Sequence, residues 1–448
     1  MKNTYKLIVV FILTVGIFGM SASRAHAELK ADNASLKTCI QLFCEKMYGS
    51  MLADSSTSFS KDDFLTVDGY LTAKVFEAKR DYEQIDVPGG FTYVKITDVI
   101  IKGMEQEKKG DICVTARIKC DYVSGDEASY WGNDYQFTVR VEGESLSVVD
   151  VKALEGDEFL NIRDSLPLWQ EKCSYAGEDW EYEAIDLILD NKKFDVKDLV
   201  QIDKIEPEPE APDRVVNSEE GTKSITVSYD ASRAATYAYT TSDSPYDEEN
   251  FIFCVAYNDN GNQMDCTNFV SQCVWAGYGG TSGYSLPSTP SYDNSSLTAL
   301  RNRVQNDFRM ISGQWYGRYY RVPRVLPPAK WCGVTDFWDY AVGNTGNGPV
   351  ATGFNNSKKW NQYSGTLKRG DILQFKSTTS NTYTHSVFFH TSGTNYIQDA
   401  ADLYVCQHTS YNPHRRLSAI IRSYSANDPD NTPCYMRRMR FYNGVFNS

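Results

Sequence analysis

The sequence predicts an α+β protein of two domains, and three observations support this fold class. An acidic segment with three prolines and six Asp or Glu residues, 204–224, divides the 448-residue chain. Before it, helical apolar spacing gives way to strict alternation, which indicates helices followed by a curved antiparallel sheet. After it, a helix that begins at a cysteine precedes strands that carry histidine, so we expect that helix to pack on an antiparallel sheet. Alternating Glu and Pro favours an extended linker between the two domains.

Residues 1–27 have the pattern of an export signal. Lys2 and Lys6 precede the apolar run 7–20, and Ala25 and Ala27 form a small-x-small cleavage site. The run is too short to cross a bilayer, although an uncleaved anchor is the alternative. We therefore expect cleavage after Ala27, a secreted or surface-retained protein at 28–448, and no membrane association once the signal is removed.

Charge and cysteine content exclude several classes of partner and site. Losing the three basic residues of 1–27 takes the net charge from −13 to −16, which disfavours nucleic acid and anionic lipid as partners. The 11 cysteines include no CxxC pair, so neither a zinc ribbon nor a thioredoxin-type site is expected. No metal site and no cofactor are predicted, and the oligomeric state stays open. Disulfides are possible in an exported chain, but the odd count leaves at least one thiol unpaired within a monomer.

The N-terminal domain, 28–203, is predicted to be α+β. Apolar residues recur at helical spacing over 34–52, alternate over 112–123, and form a hairpin pattern over 135–154 around Glu142 and Gly143. A helix followed by a curved sheet is typical of small cone-shaped folds of the nuclear-transport-factor type. Such a likeness implies no chemistry, so a binding or spacer role is expected here.

The C-terminal domain, 225–448, contains a cysteine that is predicted to begin a helix. In DCTNFVSQCVWAGYGG, 265–280, apolar residues recur at helical spacing after Cys266, and glycines end the run. Amide groups at a helix N-terminus lower the pKa of a thiol and can hold an oxyanion. Cys266 is therefore a candidate nucleophile, although a buried structural cysteine is the competing interpretation. Cys273 is predicted to lie in the core.

Histidines on two predicted strands are the candidate bases. His385 begins the strand pattern HSVFFHT, 385–391, where a strand end could approach the helix. If 385–391 and 403–409 pair about a centre near 396, His408 lies opposite His385 and could orient its ring as the third member of a triad. Asp399, Gln407 and Asn412 are the alternatives for that third position, and a surface histidine is the competing interpretation of His408.

Several motifs resemble, in order, those of the putative amidase domain family, a group of exported bacterial domains with papain-like cysteine chemistry. They are YDASRAATYAYTTS (229–242, with Asp230 as a predicted helix cap), DCTNFVSQCVWAGYGG, WYGRYY (315–320), WCGVTDFWDYAV (331–342), LKRGDILQF (367–375), THSVFFHT (384–391) and CQHTSYNP (406–413). The resemblance covers about 225–448 and implies a papain-like domain with Cys266 as nucleophile and His385 as general base. It also matches His408 to a family position. The long interval between the two histidines leaves the third residue open.

These residues together predict an exported cysteine amidase or peptidase. A Cys266 thiolate would attack an amide carbonyl in a solvent-reachable groove, with backbone amides and the side chain of Gln263 as candidate oxyanion donors. A cell-wall peptide from peptidoglycan or an extracellular peptide is the expected substrate. The alternatives are a catalytically inactive papain-like module that binds peptide or glycan at the cell surface, and a transpeptidase.

Overall fold

The computed structural model describes most of both predicted domains. The described residues are 32–107, 110–143, 145–173, 177, 179–196, 224–242, 256–257, 263–284, 299–300, 303–304, 306–317, 328–354, 356, 359–360, 366–391, 394–396, 403–408, 412–430 and 433–447. The predicted signal segment 1–27 lies outside them, as does the predicted linker 204–224 apart from its last residue. Within the described residues, no helix combines the length and the apolar character that a membrane span requires.

Helices and a four-stranded antiparallel sheet make up the N-terminal domain. The helices are α1 (Asn33–Gly49), α2 (Val67–Asp86), α3 (Asp157–Trp169) and α4 (Trp180–Asn191), with 3-10 turns at Lys61–Asp63 and Gln170–Lys172. The strands are β1 (Phe91–Gln106), β2 (Ile112–Ser124), β3 (Glu127–Glu142) and β4 (Ser145–Ala153), paired in chain order. The helix, strand and hairpin predicted over 34–52, 112–123 and 135–154 therefore correspond to α1, β2 and the β3–β4 pair.

Local sequence explains how these elements begin and bend. The Asp32 side chain caps α1 by accepting from the amide of Ser35 at 2.7 Å, and the Thr66 hydroxyl caps α2 by accepting from the amide of Gly69 at 3.1 Å. Register shifts interrupt the β1–β2 and β3–β4 ladders, and bulges of this kind bend and twist long strands. The helices bury one apolar face against this bent sheet in a single core cluster.

The C-terminal domain is an antiparallel sheet with helices on both faces. Its helices are α5 (Ala231–Thr241), α6 (Cys266–Gly277), α7 (Ala329–Cys332), α8 (Val334–Ala341) and α9 (Leu417–Tyr424). Its strands are β5 (Ser224–Val227), β6 (Ala256–Tyr257), β7 (Gln263–Met264), β8 (Gly348–Phe354), β9 (Thr366–Lys368), β10 (Ile372–Lys376), β11 (His385–Phe389), β12 (Thr394–Tyr396), β13 (Tyr404–Gln407), β14 (Asn412–Arg416) and β15 (Tyr435–Asn447). The main sheet runs β14-β13-β11-β10-β15-β5, with β8 also paired to β15.

Strand alternation separates the two sides of this sheet. Phe388 and Cys406 pack in one cluster with the α5 and α6 side chains, whereas Val387 and Val405 pack in another with Ile420 of α9. Because successive side chains on a strand point to opposite faces, α6 and α9 cover opposite faces of the sheet. The described residues therefore form an α+β fold with antiparallel sheets in both halves, as the sequence predicts at this level.

Candidate active site

Helix α6 begins at Cys266, as its sequence predicts. Its first residues leave their amide groups without partners inside the helix, which is the general property of a helix N-terminus. Gly279, with φ +87°, follows the end of the helix and takes the left-handed conformation that glycine adopts readily. The predicted start and end of this helix are therefore confirmed.

Every residue of α6 is buried, including the polar ones. The polar side chains of α6 find partners in several neighbouring segments. Asn268 Nδ2 donates to Asp265 Oδ1 at 2.7 Å, and Asn268 Oδ1 accepts from Trp331 Nε1 at 2.5 Å. Ser271 Oγ donates to the Trp331 carbonyl at 2.7 Å, and Gln272 Oε1 accepts from Tyr237 OH at 2.7 Å. Buried polar groups are tolerated when they are hydrogen-bonded in this way. This network fixes α6 against its surroundings by directional bonds as well as by apolar packing.

Cys266 is a thiol, and it lies below the surface rather than in an open groove. It is a free cysteine and only 4% exposed, with its sulfur 3.7 Å from Thr267 Oγ1. Val334 and Tyr383 form a small cluster with it, and Tyr435 packs against that cluster. The predicted solvent-reachable groove is therefore wrong for this conformation, because these side chains cover the sulfur.

Cys273, seven residues further along the helix, is fully buried in the main core of the domain. Burial raises the pKa of its thiol well above the ordinary range, so this sulfur stays protonated and inert. The prediction that Cys273 is a core residue is confirmed. The two cysteines of one helix thus have different environments, one at the helix N-terminus and one in its apolar middle.

His385 is the first residue of β11 and is almost fully buried. Its ring stacks on Tyr424 of α9, with centroids 6.2 Å apart and planes 14° apart. Its Nε2 lies 3.4 Å from Oε1 of Gln407 on the neighbouring strand β13. These contacts place the ring at the end of the sheet on the α9 side, with Nε2 directed at Gln407.

The start of helix α6 contacts the start of strand β11 through Thr267 and Ser386, the residues that follow Cys266 and His385 in the chain. Thr267 Oγ1 and Ser386 Oγ lie 3.0 Å apart although they are separated by 119 positions. Gln374 Nε2 donates to Ser386 Oγ at 3.1 Å and to the Val334 carbonyl at 2.8 Å, which extends the connection to α8. Cys266 also packs against Tyr383, two residues before His385. The start of α6 and the start of β11 are thus in contact through the neighbours of Cys266 and His385, and the described contacts of the Cys266 sulfur do not include the His385 ring.

His408 does not lie opposite His385. The pairs Phe388 with Cys406 and Phe389 with Val405 shift the register by one residue from the predicted hairpin. Extended to the strand end, this register puts His408 level with Ser386, on the α6 side of the sheet. The expected alignment of the two histidines is therefore wrong, since a one-residue shift moves a side chain to the other face.

Instead, His408 is bound to the residue that precedes Cys266. Its Nδ1 lies 2.5 Å from Oδ2 of Asp265, and its ring stacks on Phe269 with centroids 5.3 Å apart. Both partners of the contact are nearly inaccessible to solvent. His408 is thus one of two histidines near the start of α6, and it is connected through Asp265, whereas His385 is connected through Ser386.

The other sequence candidates are described only in part. Gln263 lies in β7 and pairs with Tyr257, but its side chain is outside the described residues. Asn412 begins β14 opposite Gln407, and its side chain is likewise outside them. Asp399 falls wholly outside the described part of the chain. Gln407 is the one alternative for the third position that the structure places against the His385 ring.

Among the described residues, no group of three or more His, Cys, Asp or Glu side chains is arranged to hold a metal ion. The contacts described above bring together a thiol, two histidines, a carboxylate and amide and hydroxyl groups. Such groups can transfer protons and attack a carbonyl carbon.

Comparison with known proteins supports the assignment of the C-terminal half. Searches of curated proteins and of solved structures found no match. A family model described as a putative amidase domain matches residues 228–429, a range that contains Cys266, His385 and His408. Strands β5 and β15, which pair with each other, lie wholly outside this range. Residues 228–429 are thus similar to a putative amidase domain, as the motifs of the C-terminal half predict.

Proposed function

We propose that the C-terminal half is a papain-like, cysteine-dependent amidase or peptidase in which Cys266 is the nucleophile and His385 the general base. A putative amidase domain indicates amide hydrolysis. The observation that carries the cysteine mechanism is the 3.0 Å contact between Thr267 and Ser386, because it ties the start of α6 to the start of β11. An activated cysteine requires a base within reach of its sulfur. In this proposal His385 reaches Cys266 around the end of strand β11, because its ring lies on the α9 side of the sheet.

The mechanism follows from the groups at the two segment ends. His385 takes the thiol proton of Cys266, and the thiolate adds to the amide carbonyl carbon to form a tetrahedral oxyanion. Backbone amides at the start of α6, including that of Cys266, stabilise this oxyanion. As the intermediate collapses, His385 returns the proton to the departing amine. Water, activated by the same imidazole, then cleaves the thioester and restores the thiol.

The third residue of the site is Gln407 rather than His408 in this proposal. Gln407 Oε1 lies 3.4 Å from His385 Nε2, which is the place of the group that orients the imidazole in a cysteine–histidine site. His408 holds Asp265 and so supports the start of α6. Both residues belong to β13 or its end, so a single strand would serve the base and the nucleophile from opposite faces of the sheet.

The proposed substrate is a peptide outside the cell, either a peptidoglycan stem peptide or another extracellular peptide. This rests on the export signal expected at 1–27 and on the absence of a basic net charge that would favour nucleic acid. The N-terminal half, with its bent four-stranded sheet and covering helices, is proposed to be a cone-shaped binding module.

One observation favours a second candidate, a papain-like module that binds peptide or glycan without cleaving it. The Cys266 side chain is covered by Val334 and Tyr383, so a substrate reaches the sulfur only if these residues move. A binding module would keep this cover closed permanently.

Labelling and product analysis separate the two candidates. Full-length mature protein, the Cys266→Ala variant and the His385→Ala variant would be treated with iodoacetamide at pH 6, and the modified residue located by mass spectrometry. Each protein would then be incubated with purified peptidoglycan and with a peptide library. Alkylation at Cys266 that depends on His385, together with product release lost in Cys266→Ala, supports the amidase. An unreactive Cys266 and no products support the binding module.

A further inference from the structure

The two halves of the chain meet in a charged interface that reaches the candidate site. Three buried or half-buried ion pairs cross it, between Arg415 and Glu158 (3.2 Å), between Arg416 and Glu83 (3.1 Å), and between Arg422 and Asp86 (2.5 Å). A cavity lies at the same boundary and is lined by residues of both halves. Gln407, which touches the His385 ring, is among them.

One series of contacts leads from His385 across this interface. Arg415 Nη1 donates to Gln407 Oε1 at 3.2 Å, and Arg415 Nη2 donates to Glu158 Oε2 at 3.2 Å. On the far side, Lys79 Nζ donates to Glu158 Oε1 at 2.6 Å. Glu158 belongs to α3 and Lys79 to α2, so the series ends inside the N-terminal half.

This geometry determines which way the Gln407 amide faces. A guanidinium has only donors, so the Gln407 atom that meets Arg415 must be the carbonyl oxygen. The same oxygen faces His385 Nε2 and can only accept a hydrogen bond. Nε2 must therefore carry the ring proton, which leaves Nδ1 unprotonated in the neutral imidazole and able to take the thiol proton.

We propose that the N-terminal half sets the tautomer of His385, with Glu158 and Arg415 acting as positioning residues through Gln407. This inference rests on the proposed function of Cys266 and His385. If Arg415 were not held in place, the Gln407 amide could rotate and present its NH₂ group to Nε2. Nδ1 would then carry the proton, and the imidazole could not accept one from the sulfur.

Glu158 is suited to this role because it faces two cations from different elements. It meets Lys79 on α2 and Arg415 on β14, and Lys79 in turn lies 4.6 Å from the centroid of the Trp131 ring. Burial alone would raise the pKa of Glu158, but Lys79 and then Arg415 outweigh it and lower the pKa to about 2. The carboxylate therefore stays ionised over the working range of most proteins and keeps the Arg415 guanidinium oriented.

The chain offers a matched control for the test. Glu83 and Arg416 also form an ion pair across the interface, and their side chains are 12% and 10% exposed, against 12% and 11% for Glu158 and Arg415. The described contacts of the Glu83 pair do not include Gln407. Glu83→Gln thus removes a similar charge from the same interface without touching the proposed series.

The experiment measures the tautomer and the thiol reactivity in the full-length protein. Histidine ¹⁵N shifts would be recorded for wild type, Glu158→Gln and Glu83→Gln, with the His385→Ala spectrum used to assign the signal, and Cys266 alkylation rates would be followed from pH 5 to 9. We expect Glu158→Gln to move the His385 proton from Nε2 towards Nδ1 and to slow alkylation at pH 6 by about 2- to 30-fold, the range found for residues that couple two sites. Glu83→Gln should change neither readout.

Equal effects of the two variants, or no effect of Glu158→Gln, would overturn the inference. If Glu158→Gln does not fold, Gln407→Leu tests the last step of the series, since it removes the acceptor but keeps the Arg415–Glu158 pair. Unchanged tautomer and reactivity in Gln407→Leu would also overturn it. Failure of the proposed function looks different, because Cys266 would then be unreactive in wild type itself or equally reactive in His385→Ala.

Discussion

Asp265 contacts His408 at 2.5 Å, so the residue before the candidate nucleophile is bound to the end of strand β13. Asp265 occupies the N-cap position of α6, yet its side chain makes no capping bond to the helix backbone. Its other oxygen accepts from Asn268. The carboxylate thus ties the start of the helix to the sheet, at the cost of the backbone bond that an N-cap aspartate usually makes.

The first prediction separates the roles of the two histidines. Removing one partner of a buried hydrogen bond leaves the other without its partner, so His408→Ala should lower the free energy of unfolding by about 1–3 kcal/mol. His385→Ala should cost less stability but abolish the reactivity of Cys266 at pH 6. Urea unfolding and iodoacetamide labelling measure the two effects. Retained reactivity in His385→Ala with complete loss in a folded His408→Ala would make His408 the base.

The second prediction concerns the cover over the sulfur. Tyr383 packs on Cys266, and the Arg437 guanidinium lies 3.9 Å from the centroid of the Tyr383 ring and helps to hold it. Tyr383→Ala should therefore speed alkylation of Cys266, by about tenfold if the cover contributes roughly 1.4 kcal/mol to closing the site. Cys273 is the internal control, because it should stay unlabelled in both proteins. Faster labelling of Cys273 as well would indicate general loosening of the fold.

The third prediction is an acid sensitivity of the domain interface. Glu158 has a folded pKa of about 2 against an ordinary 4.5, so the unfolded chain takes up its proton first as the pH falls. Its stabilising contribution is complete above about pH 4.5 and is lost as the pH falls towards 2. Denaturant unfolding at pH 5 and pH 3 should show a smaller drop in stability for Glu158→Gln than for wild type. Equal drops would mean that the ion pair contributes no net stability.

The fourth prediction concerns Lys192, at the end of α4, whose contribution to stability changes at alkaline rather than acidic pH. Burial, and then the nearby Arg422, lower the pKa of its amine to about 7, while its Nζ donates to the carbonyls of Arg422 and Ser425. Between pH 7 and the ordinary value of 10.5, the unfolded chain holds a proton that the folded protein has released. The Lys192 contribution to stability therefore rises with pH in that window.

Lys192→Met provides the test for this amine. Buried thiols and tyrosines also titrate at alkaline pH, so the informative quantity is the difference in unfolding free energy between wild type and variant. We expect that difference to shift in favour of wild type from pH 7 to pH 9. If the difference in unfolding free energy is the same at pH 7 and pH 9, burial does not disfavour the protonated form of the Lys192 amine.

Much of the fold could be predicted because the signals are local. Asp230 caps α5 as predicted, with its carboxylate accepting from the amides of Ser232 and Arg233 at 3.0 Å. Helix α6 begins at Cys266 and ends at the glycines, since capping, helical periodicity and chain-breaking residues act within one or two turns. Strand β11 begins at His385, the residue at which the predicted strand pattern begins.

Contacts between distant segments were harder to predict. The hairpin centre was one residue off, and that shift placed His408 on the α6 side and left Gln407 against His385. The burial of the polar α6 side chains also escaped prediction, because partners such as Trp331 and Tyr237 come from other parts of the chain. Sequence spacing contains no information on which partner satisfies a buried polar group.

The sequence by itself determined helices α1, α5 and α6, the strands β2 and β11 and the β3–β4 hairpin, and it singled out Cys266 and His385 as candidates, because propensity, periodicity and motif order depend on near neighbours. Only the tertiary structure decided that Gln407 meets the imidazole, that His408 binds Asp265, and that Glu158 of the other half reaches Gln407 through Arg415. The physical reason is that strand register and domain packing bring together residues far apart in the chain, and a shift of one position reverses the face on which a side chain lies.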